Sequence, residues 1–329
     1  MSKRTAVVFI FVFVVILGAF FGSASGAEKV KIAMGYIPNV QFAPYYLAQE
    51  LGYFSDEGLD VEFDYGWATD IMSLVAKGEI QFGISDGDQV IIARDKGVPV
   101  KAVYAMYVKY PIAVVSKKEK GITTPAMLIG KTIGVPAPYG SNYIGLRLLL
   151  ASVGLEISDV NIQVIGYTQV ESLVSGKVDA VTVFVNNEPF VLKDMGIDIN
   201  IIPVYQITPM VSAAIITSDT LIEKNPDLVE RFIRAVSNAS YYALENKNGV
   251  MDLIKDYIPT LSGSNLEINR KVLFASFDLW EDEETEKYGI GYSSREDWLQ
   301  AIKALKELKM IKKDISPEDC YTDRFIVGR

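Results

Sequence analysis

The stretch Ser73-Leu74-Val75-Ala76-Lys77-Gly78-Glu79-Ile80 decides the fold, because a similar stretch, Ser172-Leu173-Val174-Ser175-Gly176-Lys177-Val178, follows 98–99 residues later. In both copies a helical pattern ends in a glycine-containing turn and is followed by a short apolar run typical of a buried strand. The two copies hold equivalent places in two runs of alternating strands and helices. The repeat therefore predicts two similar α/β lobes side by side.

Short apolar runs extend the pattern in both directions from each copy. Before Lys120 they predict strands at residues 30–34, 61–64, 82–85, 101–104 and 112–116, with helices at 43–51 and 70–77. The pattern then restarts, with strands at 132–135, 162–165 and 180–184 and helices at 142–152 and 169–175. Strands separated by helices indicate βαβ units and largely parallel sheets.

The last third of the chain is predicted to be helical. Asn225-Pro226 is a helix start, with Asn as N-cap and Pro at the first helical position. Ser293-Ser294-Arg295-Glu296 resembles a capping box before another helix. A strand at 211–217 is expected to return to the first lobe and to form a two-strand hinge with 112–116. The predicted lobes are 28–115 with 211–329, and 116–210.

The N-terminus has the pattern of an export signal. Lys3 and Arg4 precede an uncharged run at 5–22, and residues 23–27 are all small. This pattern predicts a secretory signal peptide over residues 1–27, with the mature protein in the periplasm. The alternative is an uncleaved anchor helix, because the run approaches the length of about 17–25 residues that spans a bilayer. No cysteine stands at the exit, which excludes a lipoprotein.

Composition narrows the function. Without residues 1–27 the chain has 30 Lys and Arg against 41 Asp and Glu, a net charge of −11, which disfavours nucleic acid as a partner. Cys320 is the only cysteine and there is no histidine, so neither an intrachain disulfide nor a cysteine metal cluster can form. The usual general base and zinc ligand are missing as well. We therefore expect a protein that is not an enzyme, with no metal and no cofactor, although carboxylate or lysine chemistry stays open.

Candidate site residues are polar and aromatic side chains at predicted strand ends or at the hinge, because ligands of open α/β sheets bind beyond the carboxyl ends of the strands. They are Tyr36, Asn39, Phe42, Trp67, Ser85, Asp86, Tyr107, Tyr110, Tyr139, Ser141, Asn142, Asn187 and Glu188. For Tyr36 and Phe42 the alternative is packing of the rings into the core. Asp88, in the same loop as Asp86, is expected either to aim its carboxylate into the cleft or to cap a helix.

These residue types favour one class of ligand. Aromatic rings offer stacking surfaces, and amides with a carboxyl group after a buried strand are costly to hide without partners. Glu188 is expected to accept hydrogen bonds from ring amino or imide groups. No paired-carboxylate, metal or nucleophile pattern emerges. The sequence therefore predicts a site for a flat, polar and mostly uncharged molecule.

Several motifs resemble one known family. The opening Gly35-Tyr36-Ile37-Pro38-Asn39, with Phe42-Ala43-Pro44-Tyr45-Tyr46-Leu47-Ala48, resembles that of the NMT1/THI5-like solute-binding proteins. Gly130-Lys131-Thr132-Ile133-Gly134-Val135 is similar to the family's entry into the second lobe. Tyr321-Thr322-Asp323-Arg324-Phe325 resembles its closing motif. The resemblance covers essentially all of the chain after the signal.

The resemblance implies a type II periplasmic binding protein fold that closes on its ligand and delivers it to an ABC permease. A monomer is expected. Family members carry thiamine pyrimidine precursors, riboflavin or alkyl sulfonates, and the runs 36–44 and 185–189 are most similar to the riboflavin-binding branch. A flavin or an aminopyrimidine is therefore the expected ligand, with a sulfonate or another small solute as the alternative. The superfamily's pyrimidine synthase is the enzyme alternative, but it uses a histidine and a cysteine-rich motif that this chain lacks.

Overall fold

The structure is a computed structural model, and it describes residues 26–65 and 71–328. The predicted signal peptide lies almost entirely outside these ranges, and the candidate site residue Trp67 lies outside them as well. No helix within these ranges is both long enough and apolar enough to span a bilayer.

The first sheet has five strands in the order β2-β1-β3-β10-β4. Its strands are β1 Glu28–Ala33, β2 Leu59–Asp64, β3 Phe82–Asp86, β4 Val100–Ala105 and β10 Ala213–Ser218. β1 is parallel to β2 and β3, whereas β10 is antiparallel to β3 and β4.

The second sheet has the same topology, in the order β7-β6-β8-β5-β9. Its strands are β5 Ile112–Lys117, β6 Thr132–Val135, β7 Asn161–Val164, β8 Ala180–Phe184 and β9 Ile199–Pro203. β6 is parallel to β7 and β8, and β5 is antiparallel to β8 and β9. Two mixed α/β lobes confirm the predicted fold class.

Fourteen α-helices in the described ranges cover the two sheets and fill the C-terminal third. They are α1 Ala43–Glu50, α2 Tyr53–Asp56, α3 Ile71–Lys77, α4 Gly87–Asp95, α5 Ser141–Ala151, α6 Gln169–Val174, α7 Glu188–Asp194, α8 Asp219–Lys224, α9 Pro226–Glu245, α10 Val250–Ile254, α11 Leu266–Phe277, α12 Glu283–Tyr288, α13 Arg295–Glu307 and α14 Pro317–Cys320.

The repeated stretch forms the same local structure twice. α3 ends in a turn where the Gly78 amide donates to Val75 O at 3.0 Å, and α6 ends where the Gly176 amide donates to Leu173 O at 3.1 Å. Both glycines have positive φ, 75° and 73°, a conformation that is costly for residues with a Cβ. Each turn leads into the central strand of its sheet, so the repeat marks equivalent positions of the two lobes.

The chain crosses between the sheets twice, at residues 106–111 and 204–212. The two crossing segments lie close together, since the Met106 amide donates to Ala213 O at 2.7 Å. The strands predicted at the hinge, β5 and β10, each follow one crossing and join the sheet that the chain has just entered. The predicted boundary after residue 115 therefore falls inside β5.

The capping residues in the sequence predict two helix starts, and the structure shifts one of them by one residue. Asn225 caps α9 as predicted, its side chain accepting from the Leu228 amide at 3.3 Å. At α13 the N-cap is Ser294, which accepts from the Asp297 amide at 3.1 Å. Ser293, the first residue of the predicted capping box, instead accepts from the Trp298 indole at 2.9 Å.

Candidate ligand-binding site

A cavity of about 530 Å³ opens between the lobes at the carboxyl ends of the strands. Tyr36, three residues after β1, is its lining residue from the first lobe. The second lobe contributes Tyr167, Gln169, Val170, Glu171, Val174, Ser175, Asn187, Glu188, Val191 and Met195. Of the predicted site residues, Tyr36, Asn187 and Glu188 therefore lie together in the wall of one cavity.

Two tyrosine rings, one from each lobe, contact each other in the wall of the cavity. The ring centroids of Tyr36 and Tyr167 are 4.9 Å apart with an interplanar angle of 90°, an edge-to-face contact between the lobes. Burial, and after it the charge of Glu188, raises the pKa of Tyr36. The Tyr36 hydroxyl therefore stays protonated and can donate a hydrogen bond.

Glu188 is the buried carboxyl group of the cavity, with 8% of the residue exposed. Its Oε2 accepts a hydrogen bond from the Phe184 amide at 3.0 Å, which fixes the side chain against the end of β8. Burial raises the pKa of Glu188 to about 7, although backbone hydrogen bonds oppose the shift. Near neutral pH this group can thus donate as an acid or accept as a carboxylate.

A second set of predicted residues meets deeper between the lobes. The Ser141 hydroxyl, at the start of α5 in the second lobe, lies 2.6 Å from Asp86 Oδ2 and 2.9 Å from Asp88 Oδ1 in the first. The Tyr110 hydroxyl, on the first crossing segment, lies 2.6 Å from Asp88 Oδ2 and 2.9 Å from Ser141 O. These four residues, here called the interlobe cluster, contact each other and are absent from the lining of the cavity.

Asn186 makes another contact between the lobes. Its Nδ2 donates to Ser276 Oγ at 2.9 Å and to the Tyr107 hydroxyl at 3.4 Å, both in the first lobe. Its Oδ1 is buried and has no hydrogen-bond partner. Tyr107, a predicted ligand contact, is 4% exposed and takes part in this contact between the lobes.

The remaining predicted residues do not converge on the cavity. Phe42 is 5% exposed and packs edge-on against Tyr45 and Tyr46, so the core alternative holds for it. The Asn39 side chain accepts from the Gln41 amide at 3.0 Å and caps a short 3₁₀ turn. Ser85 lies within β3. These three residues belong to the framework of the first lobe.

Two predicted residues of the second lobe lie near the cavity without lining it. Tyr139 is 56% exposed and close enough to Tyr167 to add to the rise that burial causes in the pKa of Tyr167. The Asn142 Oδ1 atom is buried and unpaired. Both follow β6 in the chain.

Sequence reasoning missed Tyr167, Gln169 and Asn186. Tyr167 follows β7 and thus obeys the strand-end rule that selected Tyr36, so it was available from the sequence. Asn186 stood in the motif that yielded Asn187 and Glu188, but its role depends on Ser276, 90 residues away. In residues 26–65 and 71–328 no group of three or more Asp, Glu or Cys is arranged to hold a metal ion.

Comparison with known proteins gives a family and relatives. A family model described as NMT1/THI5 like matches residues 39–249. The riboflavin-binding protein RibY of Chloroflexus aurantiacus is 32% identical over 304 residues, 92% of this chain and 87% of that protein. The formylaminopyrimidine-binding protein of Halalkalibacterium halodurans is 28% identical, covering 90% of both chains. The 4-amino-5-hydroxymethyl-2-methylpyrimidine phosphate synthase of Aspergillus parasiticus is 24% identical, covering 91% of this chain and 87% of that protein.

Solved structures share the fold. The alkanesulfonate-binding protein SsuA of Xanthomonas axonopodis pv. citri superposes with a TM-score of 0.69 at 13% identity, covering 91% of this chain and 99% of that one. A Candida albicans protein described as having the generic periplasmic binding protein fold superposes with a TM-score of 0.56 at 19% identity, covering 88% and 97%. The two lobes therefore form a periplasmic binding protein fold.

Proposed function

The chain belongs to the NMT1/THI5-like family, and on that basis we propose that it is the solute-binding protein of an ABC importer. It captures a flat, uncharged heteroaromatic molecule between its lobes and presents it to a membrane permease. The protein acts as a monomer in the periplasm after loss of its signal peptide.

The observation that carries the proposal is the cavity between the lobes, where Tyr36 and Tyr167 meet edge to face and Glu188 lines the same wall. A flat ring bound beside them can contact an aromatic ring from each lobe at once, stacking on one and meeting the other edge to face. It thereby stabilises the closed state more than the open one, which is the condition for ligand-driven closure. Glu188 and Asn187 supply hydrogen bonds that fix the orientation of the ring.

Riboflavin is the first candidate ligand. The relative that binds riboflavin shares 32% identity along nearly the whole chain. The isoalloxazine ring offers a large face for stacking and an imide edge with both a donor and acceptors, and Glu188, whose pKa lies near 7, can serve either kind of group. An aminopyrimidine is the second candidate, favoured by the relative at 28% identity and by the same carboxyl chemistry.

The charges around the cavity disfavour anionic ligands. Glu171 and Glu188 line it, and no Lys or Arg is among its lining residues in the described part of the chain. A phosphate or sulfonate would enter without a cation to pair with and would face two carboxyl groups. We therefore place riboflavin ahead of its phosphate ester and ahead of alkyl sulfonates.

We propose that the chain is a binding protein and not an enzyme. The synthase relatives match this chain at 24% identity or less, and the absence of histidine removes the residue that the enzyme alternative needs. The carboxyl groups of the cavity are then assigned to recognition.

Binding is tested by calorimetry and thermal shift on the purified protein with riboflavin, its phosphate ester, 4-amino-5-hydroxymethyl-2-methylpyrimidine and MOPS. Riboflavin should raise the melting temperature most, and its fluorescence should be quenched on stacking. Tyr36→Ala should weaken the binding of riboflavin about tenfold, because stacking of a flat heteroaromatic ring on an aromatic side chain contributes about 1–3 kcal/mol. The exposed Tyr205 does not line the cavity, so Tyr205→Ala is the control. If neither riboflavin nor the aminopyrimidine binds, or both variants behave alike, the proposal fails.

A further inference from the structure

The interlobe cluster has more close oxygen contacts than it has hydroxyl hydrogens. Ser141 Oγ is within hydrogen-bond distance of two carboxylate oxygens, on Asp86 and Asp88. The Tyr110 hydroxyl is within hydrogen-bond distance of Asp88 and of the Ser141 carbonyl. Four contacts thus depend on two hydroxyl hydrogens, and each hydrogen can bridge one contact.

One carboxyl proton supplies a third hydrogen and reduces this shortage to a single contact. If Asp86 is protonated, it donates to Ser141 Oγ, Ser141 donates to Asp88 Oδ1, and Tyr110 donates to Asp88 Oδ2. Gln89 Nε2 also donates to Asp88 Oδ1 at 2.9 Å but does not reach Asp86. Without this proton, one of the two contacts between Ser141 Oγ and the aspartates would join two oxygens with no hydrogen between them. The contact between the Tyr110 hydroxyl and Ser141 O is the one that this proton does not supply.

The surroundings favour the same proton. Asp88 is fully buried, Ser141 is 5% exposed, and Asp86 is partly buried. The polar groups that face them are Gln89 on α4, Ser141 on α5, and Tyr107 and Tyr110 on the crossing segment. Among the described ion pairs none joins Lys or Arg to either aspartate. Burial, and then the charge of Asp88, raises the pKa of Asp86 to about 7, and burial raises the pKa of Asp88.

We propose that Asp86, Asp88 and Ser141 form a latch between the lobes that closes more readily when the carboxyl pair carries a proton, so that capture of the ligand takes up a proton. The aspartates belong to the first lobe and Ser141 to the second, so their contacts form as the lobes meet. Asp86 and Ser141, predicted as ligand contacts, become positioning residues. The inference rests on the proposed function only in that the two lobes close around a ligand.

The sign of the pH dependence follows from linkage. If opening exposes Asp86 to water, its pKa falls towards the usual 3.8, whereas in the closed state it is about 7. Between these values closure takes up a proton, so affinity falls by up to about tenfold for each pH unit. Below about pH 4 and above about pH 7 the latch does not make the affinity depend on pH. Glu188 titrates in the same window, so the latch must be separated from it by substitution.

The substitution Asp86→Asn separates the effect of the latch from that of Glu188. An asparagine amide can donate to Ser141 permanently, and it supplies the missing hydrogen without a proton from solvent. Riboflavin binding, measured calorimetrically at pH 5.5 and pH 8, should become less dependent on pH in this variant, with tighter binding than wild type at pH 8. Wild type should take up more protons on binding than the variant, measured in buffers of different ionisation enthalpy. Asp60→Asn, at an exposed position of the first lobe, is the matched control and should behave as wild type.

A second measurement needs no ligand. Small-angle scattering of the unliganded protein should give a smaller radius of gyration at pH 5.5 than at pH 8 for wild type, and equal radii for Asp86→Asn. If riboflavin does not bind, the ligand assignment fails, and scattering alone decides the latch. Equal pH dependence of wild type and Asp86→Asn, in binding or in scattering, overturns the proposal.

Discussion

At the scale of single residues, Glu188 shows how burial sets the chemistry of a side chain. It is 8% exposed, and its charge contributes to the raised pKa of Tyr36. Its Oε2 accepts a hydrogen bond from the amide of Phe184 at the end of β8. Because the environment disfavours its charged form, the pKa rises from 4.5 to about 7. Folding therefore binds a proton at this position between those pH values.

The sign of the resulting stability change can be tested with Glu188→Gln. A raised carboxyl pKa stabilises the fold at low pH, and the contribution is lost as pH rises from about 4.5 to 7. From pH 5 to pH 8 the wild type should lose on the order of 2–3 kcal/mol more free energy of unfolding than Glu188→Gln. Urea unfolding at both pH values measures the difference. The exposed Glu223 offers the control Glu223→Gln, and an equal loss in wild type and Glu188→Gln would contradict the assignment.

At this scale the strand-end rule selected residues that the structure places at the cavity, whereas local packing places other predicted residues in the framework. Tyr36 and Glu188 follow strand ends, and both line the cavity. Phe42 follows the same strand as Tyr36, but it starts the α1 region, and its ring is buried with Tyr45 and Tyr46. The partners of Asp86 could not be predicted, because they depend on how closely the two lobes approach.

At the scale of elements, α5 packs on β5 through a glycine. A Cβ added to Gly145 would lie 2.5 Å from Ile112 Cγ2 and 3.2 Å from Val204 Cγ2. Gly145→Ala should therefore destabilise the protein by up to about 2 kcal/mol, since overpacking costs about 1–3 kcal/mol and the helix preference of Ala returns about 1 kcal/mol. Urea unfolding measures it, and Gly249, where the nearest such atom is 3.6 Å away, supplies the control Gly249→Ala.

A double-mutant cycle tests the cause of this destabilisation. Ile112→Ala removes the clashing methyl group, so it should cost less in the Gly145→Ala background than in wild type. Additive effects of the two substitutions would show that the helix–strand contact is not the reason.

Element-level prediction located nine of the ten described strands. The runs 132–135 and 180–184 match β6 and β8 because both are short, apolar and buried. β9 was missed, although the other edge strands, β2, β4 and β7, were predicted at 61–64, 101–104 and 162–165. The antiparallel placement of β5 and β10 arises from the two crossings, which local sequence does not encode.

At the scale of the whole molecule, the lobes share part of their hydrophobic core. One cluster of buried side chains contains Val100 and Ala214 of the first sheet together with Val114 and Ile133 of the second. Tyr110, on a crossing segment, belongs to the same cluster. Unfolding either lobe alone would expose apolar surface of the other, at about 25 cal/mol per Å². The two lobes should therefore unfold together.

The tryptophans provide the measurement, because all three, Trp67, Trp280 and Trp298, lie outside residues 111–209. Tryptophan fluorescence thus reports the first lobe, whereas far-UV circular dichroism reports both. We expect the two urea transitions of the unliganded protein to have the same midpoint, as a cooperative two-state transition requires. Tyr205→Trp, at a 43% exposed position of the second lobe, adds a reporter there and should follow the same curve. A dichroism step without a fluorescence change, or a separate transition in the variant, would mean that the shared cluster does not couple the lobes, and closure would then join two independently stable bodies.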